Sequence, residues 1–243
     1  TGVTGGEDGP GRCPGPRDIA DQGKQGGYAF DFCGARLVAL GSGALWWPER
    51  QMLAVSDLHL GKSERIARLG GAVLPPYEAQ ETLDRLAADL AATGARQAVC
   101  LGDSFDDDAA AAGLPEEIVA RLLGMQAGRD WVWIEGNHDP GPVALGGTHR
   151  AELALGPLVL RHIAEPGARG EVSGHYHPKV RIASTSRRCF LVDGERLILP
   201  AYGTYTGGLR STHPALAGLM RPEALAILTG PVARAIPMPR AGR

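Results

Sequence analysis

The chain has 243 residues, 44% hydrophobic and 21% charged, with a formal net charge of −2. That length supports one large domain with a substantial core, and no bulk positive field is present to gather nucleic acid indiscriminately. No apolar run reaches membrane-spanning length and the N-terminus lacks a signal-peptide pattern; the four cysteines (Cys13, Cys33, Cys100, Cys189) are too scattered for a CxxC knuckle or a disulfide frame. Reduced thiols in a cytoplasmic protein are the expectation.

Residues 1–27 are rich in Gly, Pro, Asp and Gln and almost free of apolar pattern. A flexible extension is expected there, ahead of a single domain over residues 28–243. Apolar runs at Ala35–Leu40, Ala44–Trp47 and Gln51–Ser56, bounded by turn residues, read as three strands. Trp46 and Trp47 would face opposite sides of their strand and pack. Ser63–Leu69 is a short helix by expectation, broken by Leu74-Pro75-Pro76. Glu78–Thr93 puts Leu83, Leu86 and Leu90 on one helical face, closed by Gly94. Gln97–Leu101 reads as a buried strand. Pro115 opens a second amphipathic helix, with Ile118, Leu122 and Met125 as its buried stripe and Gly128 as its stop, and Trp131–Ile134 is the next strand. Strands alternating with helices imply a parallel sheet with right-handed crossovers, and ligands bind beyond the carboxyl ends of such strands.

The second half changes character. Leu153–Leu155, Leu158–Leu160, Val172–Ser173, Val180–Ala183, Arg188–Val192 and Arg196–Leu199 are short strands with tight connections, which favours a more antiparallel sheet. Ala224–Leu228 and Val232–Ile236 close it. Two sheets packed face to face with helices outside, in one α/β domain, follow from the two halves together.

Polar clusters recur where strands end. Asp57 and His59 lie in SDLHLGK after the first buried run; Gly102-Asp103 opens GDSFDD; Gly136-Asn137-His138-Asp139 and Gly174-His175-Tyr176-His177 follow later strands, and His162 ends another. Glycines in these stretches permit the tight corners a strand-to-loop turn needs. Five of the seven histidines fall in these places, which scattered structural histidines would not do. Carboxylate, imidazole and amide donors gathered this way suit manganese, iron or zinc.

These residues resemble the calcineurin-like metallophosphoesterase superfamily, whose pattern D-x-H, GD-x-x-D, GNH[DE], a lone His and GH-x-H is complete between about residues 36 and 210. The resemblance implies a four-layer αββα sandwich, two mixed sheets flanked by helices, with a dinuclear metal site at the sheet edge. By motif position, Asp57, His59 and His177 would hold one ion, Asn137, His162 and His175 the other, and Asp103 would bridge them. Two cations about 3.5–4 Å apart need such a bridging anion, and together they would make a bridging hydroxide to attack phosphorus. His138 would protonate the leaving oxygen, with Asp139 orienting its ring. LGKSERIARLGGAVLPP, GHYHP and LPAYGTYTGGL are further similar to the bacterial ligase-associated DNA-damage-response endonuclease branch. That similarity implies a Mn2+-dependent phosphodiesterase or DNA endonuclease linked to repair, acting beside a DNA ligase and a helicase-like partner. Asp106 and Asp107 depart from the branch pattern, and their negative charge at the mouth opposes a polyanion.

Other readings stand beside these. Singly, Asp57, Asp103 and Asn137 are ordinary turn or capping residues. His149 rivals His162 as a ligand, although its Gly-Gly-Thr flank points to a solvated loop, and His213 before Pro214 reads as a turn residue. Asp106 fits a loop anchor better than a ligand. Lys62 and Arg65 are candidate substrate-binding groups, though a solvated helix face accounts equally for Arg65 and Arg68. The alternative activity is hydrolysis of a small phosphoester, a cyclic nucleotide or nucleotide diphosphate conjugate; the alternative from another class is a protein-binding module that kept the fold without the chemistry.

Overall fold

The computed structural model describes residues 26–71, 77–139, 141 and 144–241. The N-terminal extension, except its last two residues, and the Leu74-Pro75-Pro76 break lie outside them. An antiparallel run comes first: β1 (Tyr28–Phe32), β2 (Ala35–Ala39), β3 (Leu45–Trp47) and β4 (Met52–Val55). Crossovers follow through α1 (Lys62–Arg68) and α2 (Glu78–Thr93) to β5 (Gln97–Leu101), then α3 (Asp108–Ala112) and α4 (Glu116–Gln126) to β6 (Asp130–Ile134), and on to β7 (Thr148–Arg150). These strands form one seven-stranded sheet in sequence order, parallel from β4 to β7.

The remaining chain supplies β8 (Glu152–Leu155), β9 (Leu158–Arg161), β10 (Glu171–Ser173), β11 (Lys179–Ile182), β12 (Thr185–Val192), β13 (Arg196–Ile198), α5 (Pro214–Leu219), β14 (Leu225–Leu228) and β15 (Arg234–Pro237). The second sheet has the order β15-β14-β12-β13-β10-β9-β8, with β11 paired to β12. It is antiparallel as expected except at β10, which runs parallel to both β9 and β13.

Period-two burial builds the layers. In β5, Val99 and Leu101 point between the sheets to meet Leu160, Val172, Phe190 and Val192, while Ala98 and Cys100 point outward under Leu83, Leu86 and Leu90 of α2 and Ile118 and Leu122 of α4. Each fully buried Leu of that kind contributes about 1.5–3 kcal/mol. Trp47 joins the inter-sheet core and Trp46 packs on the helix side. The outer face of the second sheet, with Leu191, Ile198 and Ala226, is covered by Leu216 of α5 and by Met220. Helix, sheet, sheet and helix make the αββα sandwich.

Gly94 ends α2 in the left-handed conformation at φ 65°, as its position in the sequence predicts. Four elements were not legible: β1, β7, α3 and α5. β7 is three largely exposed residues with no apolar alternation. α3 depends on Asp107 accepting the Ala110 N–H at 2.7 Å, and α5 starts where His213 Nδ1 accepts the Ala215 N–H at 3.3 Å. Among the described residues no helix is long and apolar enough to cross a membrane.

Candidate metal centre

The parallel ladder of β4 and β5 continues past both strand ends. Asp57 N–H donates to Gly102 carbonyl (3.2 Å), His59 N–H to Asp103 carbonyl (2.9 Å) and Leu60 N–H to Ser104 carbonyl (2.9 Å). From the second sheet, Gly174 N–H donates to the His162 carbonyl at 2.9 Å, joining the loops after β9 and β10. Loop ends of both sheets therefore meet along one edge.

The backbone there is left-handed at five side-chain-bearing residues: Asp57 (φ 55°), His59 (φ 47°), Asp103 (φ 47°), His175 (φ 69°) and His177 (φ 48°). Among the described residues, only Cys33, Gln51 and Ala183 share that feature outside glycine. Asp and His tolerate it better than branched residues, at a cost of order 1–2 kcal/mol each. Strain gathered at one edge is the signature of a site that the surrounding structure holds in place.

Close approach needs glycine at two points. A Cβ on Gly174 would fall 1.7 Å from Ser56 Oγ and 2.6 Å from Asp57 Oδ2; one on Gly136 would fall 2.2 Å from Asp103 N. Gly174→Ala is expected to destabilise the fold by about 1–3 kcal/mol and to weaken divalent-cation binding, as Asp57 is pushed off its place. Thermal unfolding with and without added cation measures both effects; an unchanged cation-induced shift would show that the two loops do not depend on each other.

Two groups of ligand-type atoms result. Asp57, His59 and His177 form one and Asp103, His162 and His175 the other, each with its atoms within 4.8 Å of one another. Asp103 stands between them, with Oδ2 3.4 Å from His162 Nε2 and 4.0 Å from His59 Nε2. Asn137, exposed on its loop, puts Oδ1 3.0 Å from His162 Nε2.

The donor set fits cations. His162 Nδ1 lies 2.8 Å from the Leu101 carbonyl, which only accepts, so this nitrogen carries the proton. Nε2 faces Asn137 Oδ1, Asp103 Oδ2 and, at 3.3 Å, His175 Nδ1; burial opposes charging the ring, but the hydrogen bond to Asp103 and the charges of Asp57 and Asp103 raise its pKa, so a proton is favoured on this nitrogen where a cation would otherwise sit. His59 repeats the arrangement: Nδ1 lies 2.8 Å from Asp106 Oδ1, and Nε2 faces His177 Nε2 at 3.4 Å. Asp57 Oδ1 is wholly buried and lies 3.0 Å from His177 Nε2. Lone pairs turned on one another in a buried place are repulsive until a proton or a metal ion enters.

The same proximity moves the acidities. Burial opposes ionisation of Asp103, but the hydrogen bond and charge of His162, with the His138 N–H, hold its carboxyl far below the usual range. Burial also opposes ionisation of Asp106, yet His59, Arg65 and Lys62 bring it down to about 2. Burial lowers His175, with the neighbouring His162 adding to it.

Sequence-predicted residues outside the two groups fall as follows. His138 donates its N–H to Asp103 Oδ1 (2.9 Å), and its ring Nδ1 is 3.0 Å from the Asp106 carbonyl, which leaves Nε2 without a hydrogen-bond partner among the described residues. The expected orienting role of Asp139 is not what its partners describe. Its oxygens accept the backbone N–H groups of Asp103 (2.9 Å), Ser104 (2.7 Å) and Phe105 (3.2 Å), so it shapes the loop after β5, and the ring of His138 is held by Asp106. Burial, reinforced by the charge of Asp103, pushes its carboxyl up to about 6. Lys62 and Arg65 do lie beside the centre, but both are engaged: Lys62 Nζ is 3.7 Å from Asp106 Oδ1, and Arg65 Nη1 is 3.0 Å from Asp106 Oδ2. His149 is half-buried and stacked on Trp133 at 6.5 Å, away from both groups, instead of lying in a solvated loop.

Sequence reasoning marked LPAYGTYTGGL, with Thr206, Gly207 and Gly208 as a loop near the site, through the family resemblance alone, and did not reach the contacts it makes. Ser56 Oγ donates to Asp57 Oδ2 at 2.5 Å, and Tyr202 and Gly203 N–H groups donate to Ser56 and Asp57 carbonyls at 2.7 and 3.0 Å. Arg188 Nη2 holds the Gly203 and Thr204 carbonyls at 2.7 and 2.8 Å, and Gly208 lies directly against the His177 carbonyl. LPAYGTYTGGL thus clamps the loop carrying Asp57, about 145 residues earlier, and the one carrying His177, about 30 residues earlier.

No family model matches the sequence, and no curated protein matches it. Among solved structures, the Pseudomonas putida nuclease MPE superposes with a TM-score of 0.68 at 28% identity, over 86% of this chain and 100% of its own. Yfce, a phosphoesterase from E. coli, aligns over 77% of this chain and 99% of its own at 15% identity and a TM-score of 0.38, too loosely to bear on the site.

Proposed function

We propose that this chain, a metal-dependent phosphoesterase with the calcineurin-like metallophosphoesterase fold, cleaves the phosphodiester bonds of nucleic acid as a manganese-dependent DNA endonuclease in repair. One observation carries the reading: two groups of three ligand-type residues converge, with Asp103 of the second group reaching toward His59 of the first, and their lone pairs are relieved by a proton or a metal ion. The nuclease named among the similar structures supports a nucleic acid substrate over a phosphomonoester. Asp57, His59 and His177 would hold one ion, Asn137, His162 and His175 the second, and Asp103 both. Bound there, two divalent ions would supply Lewis acidity and an activated water.

The protein's own groups do the rest. Asp106 keeps His59 in the tautomer that presents Nε2, through the 2.8 Å contact at Nδ1. Its carbonyl does the same for His138, so Nε2 of that ring is the proton donor to the leaving oxygen when the imidazole is charged. The cytoplasm suits the buried thiols of Cys100 and Cys189, and a DNA ligase and a helicase-like protein are the partners that the repair reading implies.

A second reading has one observation in its favour. Lys62 and Arg65 are paired with Asp106 rather than open to a polyanion, which suits a small phosphodiester such as a cyclic nucleotide or a nucleotide diphosphate conjugate. A panel of single-stranded DNA, duplex DNA, RNA, cyclic nucleotides and nucleotide diphosphate sugars separates the two, run after chelation and re-addition of manganese, iron or zinc. The expected result is loss of all hydrolysis on chelation and recovery with manganese, on single-stranded DNA foremost. Turnover confined to cyclic nucleotides or diphosphate conjugates would overturn the nuclease reading, and full activity after chelation would overturn the metal centre.

A further inference from the structure

Helix α1 brings three cations to the side of the centre where His59 sits, and each already faces a carboxylate. Arg65 reaches Asp106 through Nη1 at 3.0 Å and Asp107 through Nε at 3.2 Å. Arg68 Nη2 spans both oxygens of Asp107, at 2.9 and 3.0 Å, while its Nε donates to the exposed Glu64 Oε1 of the same helix at 3.1 Å. Asp106 is buried and tied to His59, so its charge belongs to the centre. Asp107 differs: its side chain is 30% exposed, its guanidinium partners 33% and 39%, and among the described residues it otherwise caps α3 alone.

A guanidinium recognises carboxylate and phosphate with the same planar fork. Exposed pairs of this kind are weak and screened by salt, so a phosphate of a bound strand competes with Asp107 for Arg65 and Arg68. We propose that Asp107 is a specificity-determining residue: by occupying two guanidiniums beside the centre, it restrains the use of long polyanionic strands relative to short phosphodiesters. The inference rests on the nuclease reading of the same centre. A strand gains phosphate contacts on α1 only by displacing a carboxylate that stays tethered beside them.

Asp107→Ser tests it, because serine keeps a cap acceptor for the Ala110 N–H but is too short to reach Arg68; Asp107→Asn is the near-isosteric companion. The metal-free protein is titrated into a fluorescein-labelled oligothymidylate over a salt series. The metal-loaded enzyme is assayed on oligothymidylates of increasing length and on bis-p-nitrophenyl phosphate. Asp107→Ser is expected to bind the strand on the order of tenfold more tightly at low salt, with a log Kd against log salt slope steeper by about 0.7 per guanidinium gaining a phosphate. Its kcat/KM rises with strand length and stays within about twofold of wild type on the small ester. Adding Arg65→Ala and Arg68→Ala cancels the gain; a gain that persists overturns the inference. Equal affinity and slope in wild type and both Asp107 variants, with wild type cutting the strands, overturn it and leave the nuclease reading standing. If no variant binds or cuts any strand while all hydrolyse the small ester, the nuclease reading falls and this inference with it.

Discussion

Asp103→Ala is expected to abolish divalent-cation binding at both ligand groups and to lower phosphodiester hydrolysis on the order of 10³-fold or more, the equivalent of several kcal/mol of lost transition-state stabilisation. Asp103 is the carboxylate placed between the groups, 3.4 Å from His162 and 4.0 Å from His59. Without it, two cations would face each other across uncharged imidazoles. The variant should still fold, because the Asp103 backbone keeps its bond to Asp139 and its carbonyl keeps the His59 N–H. What disappears is the rise in thermal stability that a cation gives by binding the folded state alone. Elemental analysis and melting with added Mn2+ check this directly; near-normal metal content would remove Asp103 from its bridging place.

His138→Ala is expected to keep its cations and still lose about 10²–10⁴-fold in turnover of esters with alkoxide leaving groups. Only backbone N–H of His138 touches Asp103, so truncating the ring leaves the ligand set whole. The ring matters for its free nitrogen: the Asp106 carbonyl at 3.0 Å fixes the proton on Nδ1 and leaves Nε2 for a leaving oxygen. Nitrophenolate leaves without help, so bis-p-nitrophenyl phosphate should suffer far less than a dinucleotide. Equal losses on both would show that the ring acts on the structure and not on the leaving group.

The identity of the ligand-type residues was legible because each motif is local: a buried run, a corner, and one or two donors within five residues. Asp57 with His59, and His175 with His177, each announce themselves in three residues. His162 had no such signature, and its place comes from Gly102, where a Cβ would lie 2.5 Å from the imidazole ring. The role expected for Asp139 failed for the same reason in reverse. Adjacency to His138 hinted at a partnership, whereas the carboxylate turns to three N–H groups of a loop more than thirty residues earlier.

By itself the sequence determined the alternation of strands and helices, the buried faces of α2 and α4, and the donors that stand at each strand end, since periodicity and corner chemistry are written within a few residues. The tertiary structure alone decided which donors share a cation, the left-handed backbone that aims them, the clamp of Tyr202–Gly203 on Asp57, and the capture of Arg65 and Arg68 by Asp107. Those depend on how two sheets packed face to face bring their loop ends to one edge, and contacts between distant segments exist only once the inter-sheet core has closed.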